Sequence, residues 1–416
     1  MHSINLPYGD SCLTAAIPEY IKINIIDPAR NSVREDVTSM IKKALQNPIG
    51  TLPLEQIVQP SLNICIIVND QTRPGPTAQM LDEILPALYN AGVTKDHITI
   101  IVATGSHRGP TESELDVIIG TQHRDIKVVV HDCKQNNVYI GTTKSGLPVW
   151  IDKIVAESDF VIATGLIAPH HSAGYSGGRK SILPGIAGLE TLKQHHSFPI
   201  RPYEPAMGFY TDNPFHITAL EAARKTNLKF IVNVVQDPHK QVISCVAGDV
   251  DMAHQAGVAI CKKACSVSIG ELADIVITSP GGAPRDCNLY QSQKALSVAE
   301  KFGKQGCTYI LCSECKDGIG EGVFEEWMSN AKTPEEIIER FKKEGYNVGS
   351  NKAFMYARTL TKGNVIVVTN NIDPSRLDKI MLQHASTLQE AIDRVCAQKP
   401  VKNITVIPRA INIIPC

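Results

Sequence analysis

The chain has 416 residues, 43% hydrophobic and 20% charged, with a net charge of −1. That length accommodates two domains of ordinary size, and the near-zero charge argues against a nucleic-acid or anionic-membrane surface. No run approaches the roughly 18 apolar residues of a membrane span, and the opening Met1-His2-Ser3-Ile4-Asn5 lacks the basic and then apolar stretch of a secretory signal, so a cytoplasmic location is expected. Many of the 12 cysteines lie in apolar, strand-like runs, as Cys65, Cys307 and Cys312 do, where a thiol behaves as a small buried hydrophobe.

Short β-branched runs alternate with helical stretches along the chain. Strands are predicted at 62–68, 98–103, 126–130, 160–163 and 230–235, with helices among them at 77–91, 112–118 and 215–226. Such alternation predicts a mostly parallel sheet covered by helices on both faces. The series restarts past a junction placed at 265–271, with strands at 275–279, 308–312 and 365–369 and helices at 288–302, 334–344 and 387–397. The apolar segment 403–414 follows this second series and is expected to return to the first domain. The expected architecture is α/β with two domains, each a mostly parallel sheet flanked by helices: 1–267 with the returning segment 404–416, and 268–403. The active site is expected in the interdomain cleft, because ligands of open α/β sheets bind beyond the carboxyl ends of the strands.

The unusual residues fall at those strand ends. They are Asp70-Gln71-Thr72-Arg73-Pro74, Gly105-Ser106-His107-Arg108, Pro169-His170-His171, and the loop from Gly281-Gly282 to Arg285-Asp286. The most informative stretch, 170–185, packs His, Ser, Gly, Arg and Lys together at one loop-to-helix junction. Glycine-rich backbone at a helix start suits an anion such as a phosphate; a turn carrying solvated basic residues is the competing reading. A Walker A loop is excluded, because Arg179 stands where a glycine must precede Lys180-Ser181. Histidine is the natural acid/base residue near neutral pH, with an ordinary pKa of about 6.5, and His107 and His170 stand in two of these loops. Cys312 and Cys315, with Cys261 and Cys265, have spacings that could suggest a zinc site, although they sit at predicted element ends.

The run His170-His171-Ser172-Ala173-Gly174-Tyr175-Ser176-Gly177-Gly178-Arg179-Lys180, with Ile182-Leu183-Pro184-Gly185 after it, resembles the H-x-x-A-G-(Y/F)-S-G-G-R-K motif of the nickel-pincer nucleotide-dependent lactate racemase family. The resemblance extends to Asp70–Pro74 and His107, and to the 281–294 segment, which is similar to G-G-x-P-x-D-x-N-x-Y-Q-x-x-K. It implies that Lys180 is covalently attached to a pyridinium-derived mononucleotide that holds Ni(II), and that His196, sixteen residues on, completes the metal's ligand set. It further implies His107 and His170 as the acid/base pair, and Asp70, Thr72, Arg73, Ser176, Gly177, Gly178 and Arg179 around the cofactor. Arg73, Tyr290, Gln291 and Lys294 fall on the substrate side. The implied function is a racemase or epimerase inverting C2 of a 2-hydroxy acid by reversible hydride transfer, with cofactor-maturation proteins as partners. One departure bears on the substrate: the 349–357 stretch has no tryptophan at the family's lactate pocket, where Phe354 is the candidate replacement, and Arg285 and Asn351 are more polar than a methyl pocket needs. His171 also departs from the aromatic residue usual there. Lactate, longer 2-hydroxy acids, malate and sugar acids all remain candidates. Two other functions compete: a zinc-dependent hydrolase or lyase using His107, His170 and His196 as ligands, and a non-catalytic sensor of an acidic metabolite or nucleotide.

Overall fold

The computed structural model describes residues 1–28 and 35–416. The chain divides into two compact units, one of residues 30–264 and one of residues 1–29 with 265–416.

The first unit is built on a six-stranded sheet in the order Val242–Gly248, Leu228–Gln236, Phe160–Ile167, Ile64–Asn69, Ile98–Ala103, Lys127–Val130. All neighbours run parallel except the edge strand Val242–Gly248. That strand turns back because its connection is short. Asp237 Oδ1 accepts from the backbone N–H of His239 and of Gln241, and Lys240 adopts φ +67°, closing a hairpin that leaves no room for a parallel crossover. Alternate residues of Ile64–Asn69 serve two cores. Ile64, Ile66 and Val68 pack with helix Thr77–Asn90 on one face, while Cys65 and Ile67 pack with helix Pro214–Arg224 on the other. Burial on both faces is why this strand reads as a continuous apolar run.

The second unit carries a fully parallel six-stranded sheet in the order Gln383–Ala385, Gly363–Val368, Gly303–Cys312, Ala273–Thr278, Asn403–Ile407, Lys22–Ile25. Two expectations are corrected here. The C-terminal strand does not return to the first domain, and the N-terminal residues do not belong to it. Asn403–Ile407 pairs with Ala273–Thr278 on one side and Lys22–Ile25 on the other. Its inward side chains, Ile404 and Val406, join Ile275, Ile277 and Ile310 in one core. The hairpin His2–Tyr8/Ser11–Ile17 places Ile4, Leu6 and Ile17 in that same core. Phe354 is also corrected. It is fully buried in helix Ser350–Leu360, stacked 4.9 Å from Phe341, so it is a core residue rather than a pocket wall.

Cys312 and Cys315 are buried in this unit, and Ser313 Oγ lies 3.0 Å from Cys315 Sγ. Among the described residues no group of three or more His, Cys, Asp or Glu is placed to hold a metal ion, so neither a four-cysteine zinc site nor a three-histidine one forms. No described helix is long and apolar enough to cross a membrane.

Ile404→Ala, at a fully buried position, is expected to destabilise the second unit by about 2–5 kcal/mol, read as a lowered urea midpoint. A change below about 0.5 kcal/mol would contradict the central placement of this strand.

Candidate active site

Three adjacent parallel strands, Phe160–Ile167, Ile64–Asn69 and Ile98–Ala103, end side by side. The residues that follow them carry His170, Asp70 and His107, so side chains remote in sequence come to neighbouring carboxyl ends of the sheet, as strands about 4.8 Å apart allow. The 70–73 turn organises the centre. Asp70 Oδ1 accepts from the Thr72 backbone N–H at 3.1 Å and from the Thr72 hydroxyl at 2.7 Å. Asp70 Oδ2 accepts from His107 Nδ1 at 2.7 Å. Burial raises the Asp70 carboxyl's pKa, but the hydrogen bond and charge of His107, the Thr72 hydroxyl and Arg73 outweigh it, leaving the group below the ordinary carboxylate value. Asp70 is therefore an anion that fixes His107 as the Nδ1–H tautomer, with a lone pair on Nε2. Arg73 Nη1 donates to the Thr72 carbonyl and hydroxyl at 3.0 and 3.1 Å.

The glycine-rich loop is pinned from beneath. Gly174 has φ +75°, and a side chain there would collide with the Phe209 carbonyl; at Gly177, φ +80°, a Cβ would sit 2.6 Å from Asn233 Oδ1. Gly178 N–H donates to Asn233 Oδ1 at 2.7 Å. The Ser176 hydroxyl donates to the Leu166 carbonyl at 2.6 Å and accepts from Ala168 N–H. Arg179 is fully buried and donates to the carbonyls of Gly177 and Ala173 at 3.2 and 2.9 Å, with Nη1 3.0 Å from His254 Nε2. Within the protein, the polar groups of Ser176, Gly178 and Arg179 hold the loop in shape. Gly105 N–H donates to the Gly185 carbonyl at 2.9 Å, tying the loop to the turn that bears His107.

What the loop presents is Lys180. Its Nζ lies 3.3 Å from His170 Nε2 and 5.4 Å from the centre of the Phe215 ring. His196 packs edge-on against the same ring at 5.0 Å. Its Nδ1 donates to the Leu192 carbonyl at 3.0 Å, which leaves the lone pair on Nε2. Burial, then the charges of Arg179 and Arg73, push the Lys180 amine well below its ordinary pKa. Burial, then Lys180, His171, Arg73 and His196, do the same to His170. Burial, then His195, Lys180 and Arg201, lower His196 as well.

Backbone geometry settles the proton between His170 and Lys180. His170 Nδ1 accepts from the N–H groups of Ser172 and Ala173 at 3.2 and 3.1 Å. Neutral His170 therefore carries its hydrogen on Nε2 and donates it to Lys180 Nζ, which must be an uncharged amine.

His195, by contrast, is buried with Nε2 donating to the Phe215 carbonyl, and burial drives it down to about 3. It is a core residue. Phe215 and Asn233 are participants that the sequence reading missed. In the second unit, helix Leu289–Ala299 is capped by Asn288 and carries Tyr290, Gln291 and Lys294 near its start. Lys294 Nζ donates to Gln291 Oε1 at 2.9 Å, and the Tyr290 ring stands 5.7 Å from Lys352 Nζ.

These features define a two-unit α/β protein whose first unit sets Lys180 against His170 just beyond the carboxyl ends of parallel strands, with His196, at the end of helix Leu189–His195, on the same Phe215 ring as Lys180. Residues 8–208 match the family model of the lactate racemase N-terminal domain, and 269–415 that of the lactate racemase C-terminal domain. The chain belongs to the lactate racemase family. It is 35% identical to the lactate racemase of Thermoanaerobacterium thermosaccharolyticum over 100% of this chain and 99% of that one. It is 34% identical to the lactate racemase of Lactiplantibacillus plantarum over the full length of both. The solved structure of the Thermoanaerobacterium lactate racemase apoprotein superposes with a TM-score of 0.91, 34% identity and full coverage of both chains.

In the apoprotein, Lys180 is expected to react with an amine-directed acylating reagent with a midpoint well below the ordinary lysine value of about 10.4, measured by peptide mass spectrometry across pH. Removing a positive neighbour favours the ammonium form, so Arg73→Ala should move that midpoint upward. A midpoint at the ordinary value in the unsubstituted protein would contradict the neutral amine.

Proposed function

We propose that this protein is a cytoplasmic racemase or epimerase that inverts C2 of a 2-hydroxy acid with a nickel-pincer nucleotide attached through Lys180. Family membership supports a racemase acting on a small molecule. The observation that carries the finer reading is the pair of opposite tautomers: His107 presents an accepting Nε2, backed by Asp70, while His170 presents a donating Nε2–H, backed by two backbone N–H groups.

The residues fit the proposed group. An uncharged amine is the nucleophile that covalent attachment requires, and the buried Lys180 is held in that form. His196, with Nδ1–H committed to a carbonyl, directs a soft-to-borderline nitrogen donor of the kind that suits Ni(II). Arg73 supplies a fixed cation for an anionic group of the cofactor or substrate. When bound, the nucleotide supplies a reversible acceptor for the α-hydrogen as hydride, chemistry that no side chain provides. Proteins that make and load the nucleotide are the partners this reading requires.

The chain's own work is placement and proton transfer. His107 Nε2 takes the substrate hydroxyl proton, and the resulting imidazolium is stabilised by Asp70, which also holds the ring in place. His170 Nε2 is the donor when the opposite configuration forms; in the reverse direction the roles exchange. Lys294, held by Gln291, and the Tyr290 ring are the proposed contacts of the second unit to the substrate.

Holoenzyme incubated with enantiopure 2-hydroxy acids in deuterated water should racemise at least one of them and keep the original hydrogen at C2. Solvent deuterium at C2, or full activity from nickel-free protein, would reject the scheme. His107→Gln should lower kcat by about 10²–10⁴-fold, and Asp70→Asn should also lower kcat, because an amide no longer enforces the Nδ1–H tautomer.

A further inference from the structure

We propose that His131 and Asp152 are positioning residues, a buried hydrogen-bonded pair that holds Lys180, His107 and His196 in register with one another. For the work of those three residues this rests on the racemase reading; the geometry belongs to the protein alone.

Lys180 and His196 are joined by a tight turn followed by helix Leu189–His195. The turn bonds to itself, with Gly185 N–H donating to the Lys180 carbonyl at 3.0 Å and Ile186 N–H to the Ile182 carbonyl at 3.2 Å. Its remaining polar groups are buried and need partners outside it. Strand Pro148–Asp152 supplies most of them. Asp152 N–H donates to the Ile186 carbonyl at 2.9 Å, and Gly188 N–H donates to the Trp150 carbonyl at 2.8 Å. The Thr191 hydroxyl donates to the Pro148 carbonyl and accepts from Trp150 N–H, both at 2.9 Å. The stretch between the lysine and the histidine is thus fastened along one strand.

The Ala187 carbonyl goes instead to a side chain. His131, 3% exposed, has Nε2 3.2 Å from that carbonyl and Nδ1 2.9 Å from Asp152 Oδ2. Asp152 Oδ1 accepts from Ile154 N–H at 3.0 Å. Both ring nitrogens face oxygen, so two hydrogens lie between the ring and the carboxyl. The backbone of His131 reaches the third member of the site. Its carbonyl accepts from the Thr104 hydroxyl at 2.7 Å, and the Thr104 carbonyl accepts from His107 N–H at 3.0 Å. One residue therefore ties the turn that bears His107 to the turn that follows Lys180. A misplacement of about 1 Å at a reacting centre can cost about 100-fold in rate, and directional bonds to a carbonyl limit such drift where apolar packing alone would not.

Asp152→Asn is the conservative variant. Its amide can donate to His131 Nδ1 and still cap helix Lys153–Glu157, and the ring keeps Nε2–H for Ala187. Adding His131→Phe keeps a ring and removes the bond. In the apoprotein, Asp152→Asn should leave the acylation midpoint of Lys180 within about 0.5 unit of wild type, whereas the double variant should raise it by at least about one unit, because a loosened turn lets water reach the amine. In holoenzyme the double variant should lose nickel to EDTA at least about tenfold faster. Ile84→Ala, in the core on the opposite face of the sheet, is the control for general destabilisation and should leave both readings unchanged.

An unchanged midpoint in the folded double variant, or an equal shift in Asp152→Asn or in Ile84→Ala, overturns the proposal. If the double variant shows no cooperative urea transition, Thr104→Val decides, since it breaks the tie between His131 and the His107 turn. It should lower kcat at least about tenfold with KM within about threefold; an unchanged kcat overturns the proposal. Wild-type holoenzyme that carries no nickel and racemises no 2-hydroxy acid rejects the racemase reading instead, a result on which the apoprotein midpoint does not depend.

Discussion

A primary amine held against an imidazole, with positive charge on its other sides, is the constraint on which the site depends. Lys180 Nζ sits 3.3 Å from His170 Nε2, and Arg73 and Arg179 both act on it. Burying an ammonium in such surroundings would cost several kcal/mol, so the group resolves the conflict by losing its proton. The same loss converts a solvated cation into a nucleophile. His170 is tied into this arrangement because two backbone N–H groups occupy its Nδ1, leaving Nε2–H as the donor to the amine.

The fold maintains that arrangement from outside the cluster. Asn233, on the strand beside Phe160–Ile167, takes the Gly178 N–H. Arg179, fully buried, gathers two carbonyls of the loop and abuts His254, which is itself 2.9 Å from the Tyr210 hydroxyl. Phe215 gives Lys180 and His196 a common surface. The buried arginine raises the positive potential at Lys180, which makes its contribution electrostatic as well as structural. Substitutions at Asn233 or Phe215 act through the loop and are expected to disturb the cluster although neither residue carries the chemistry.

Much of this was legible in the sequence because it depends on local pattern. The strands at 64–69 and 98–103 stand out as apolar runs buried on both faces, and the loops after them hold Asp70 and His107, whose pairing follows from adjacent strand ends. The 170–180 segment is recognisable because its glycines and basic residues crowd a short stretch. What the sequence concealed depends on long-range pairing. Strand 403–407 lies beside strand 22–25 across nearly the whole chain, and nothing in either segment's pattern identifies its partner. Phe215 reads as an ordinary core residue of an amphipathic helix, and Asn233 as a polar residue in an apolar strand. The full burial of Arg179 among loop carbonyls was also concealed, because one basic residue in a loop reads like another.

The most direct measurement is the peptide mass and metal content of enzyme produced together with its cofactor-maturation proteins. A nucleotide-sized adduct confined to Lys180, accompanied by nickel that is lost in His196→Ala, is the predicted result. An active enzyme whose Lys180 peptide is unmodified would contradict the assignment of that amine.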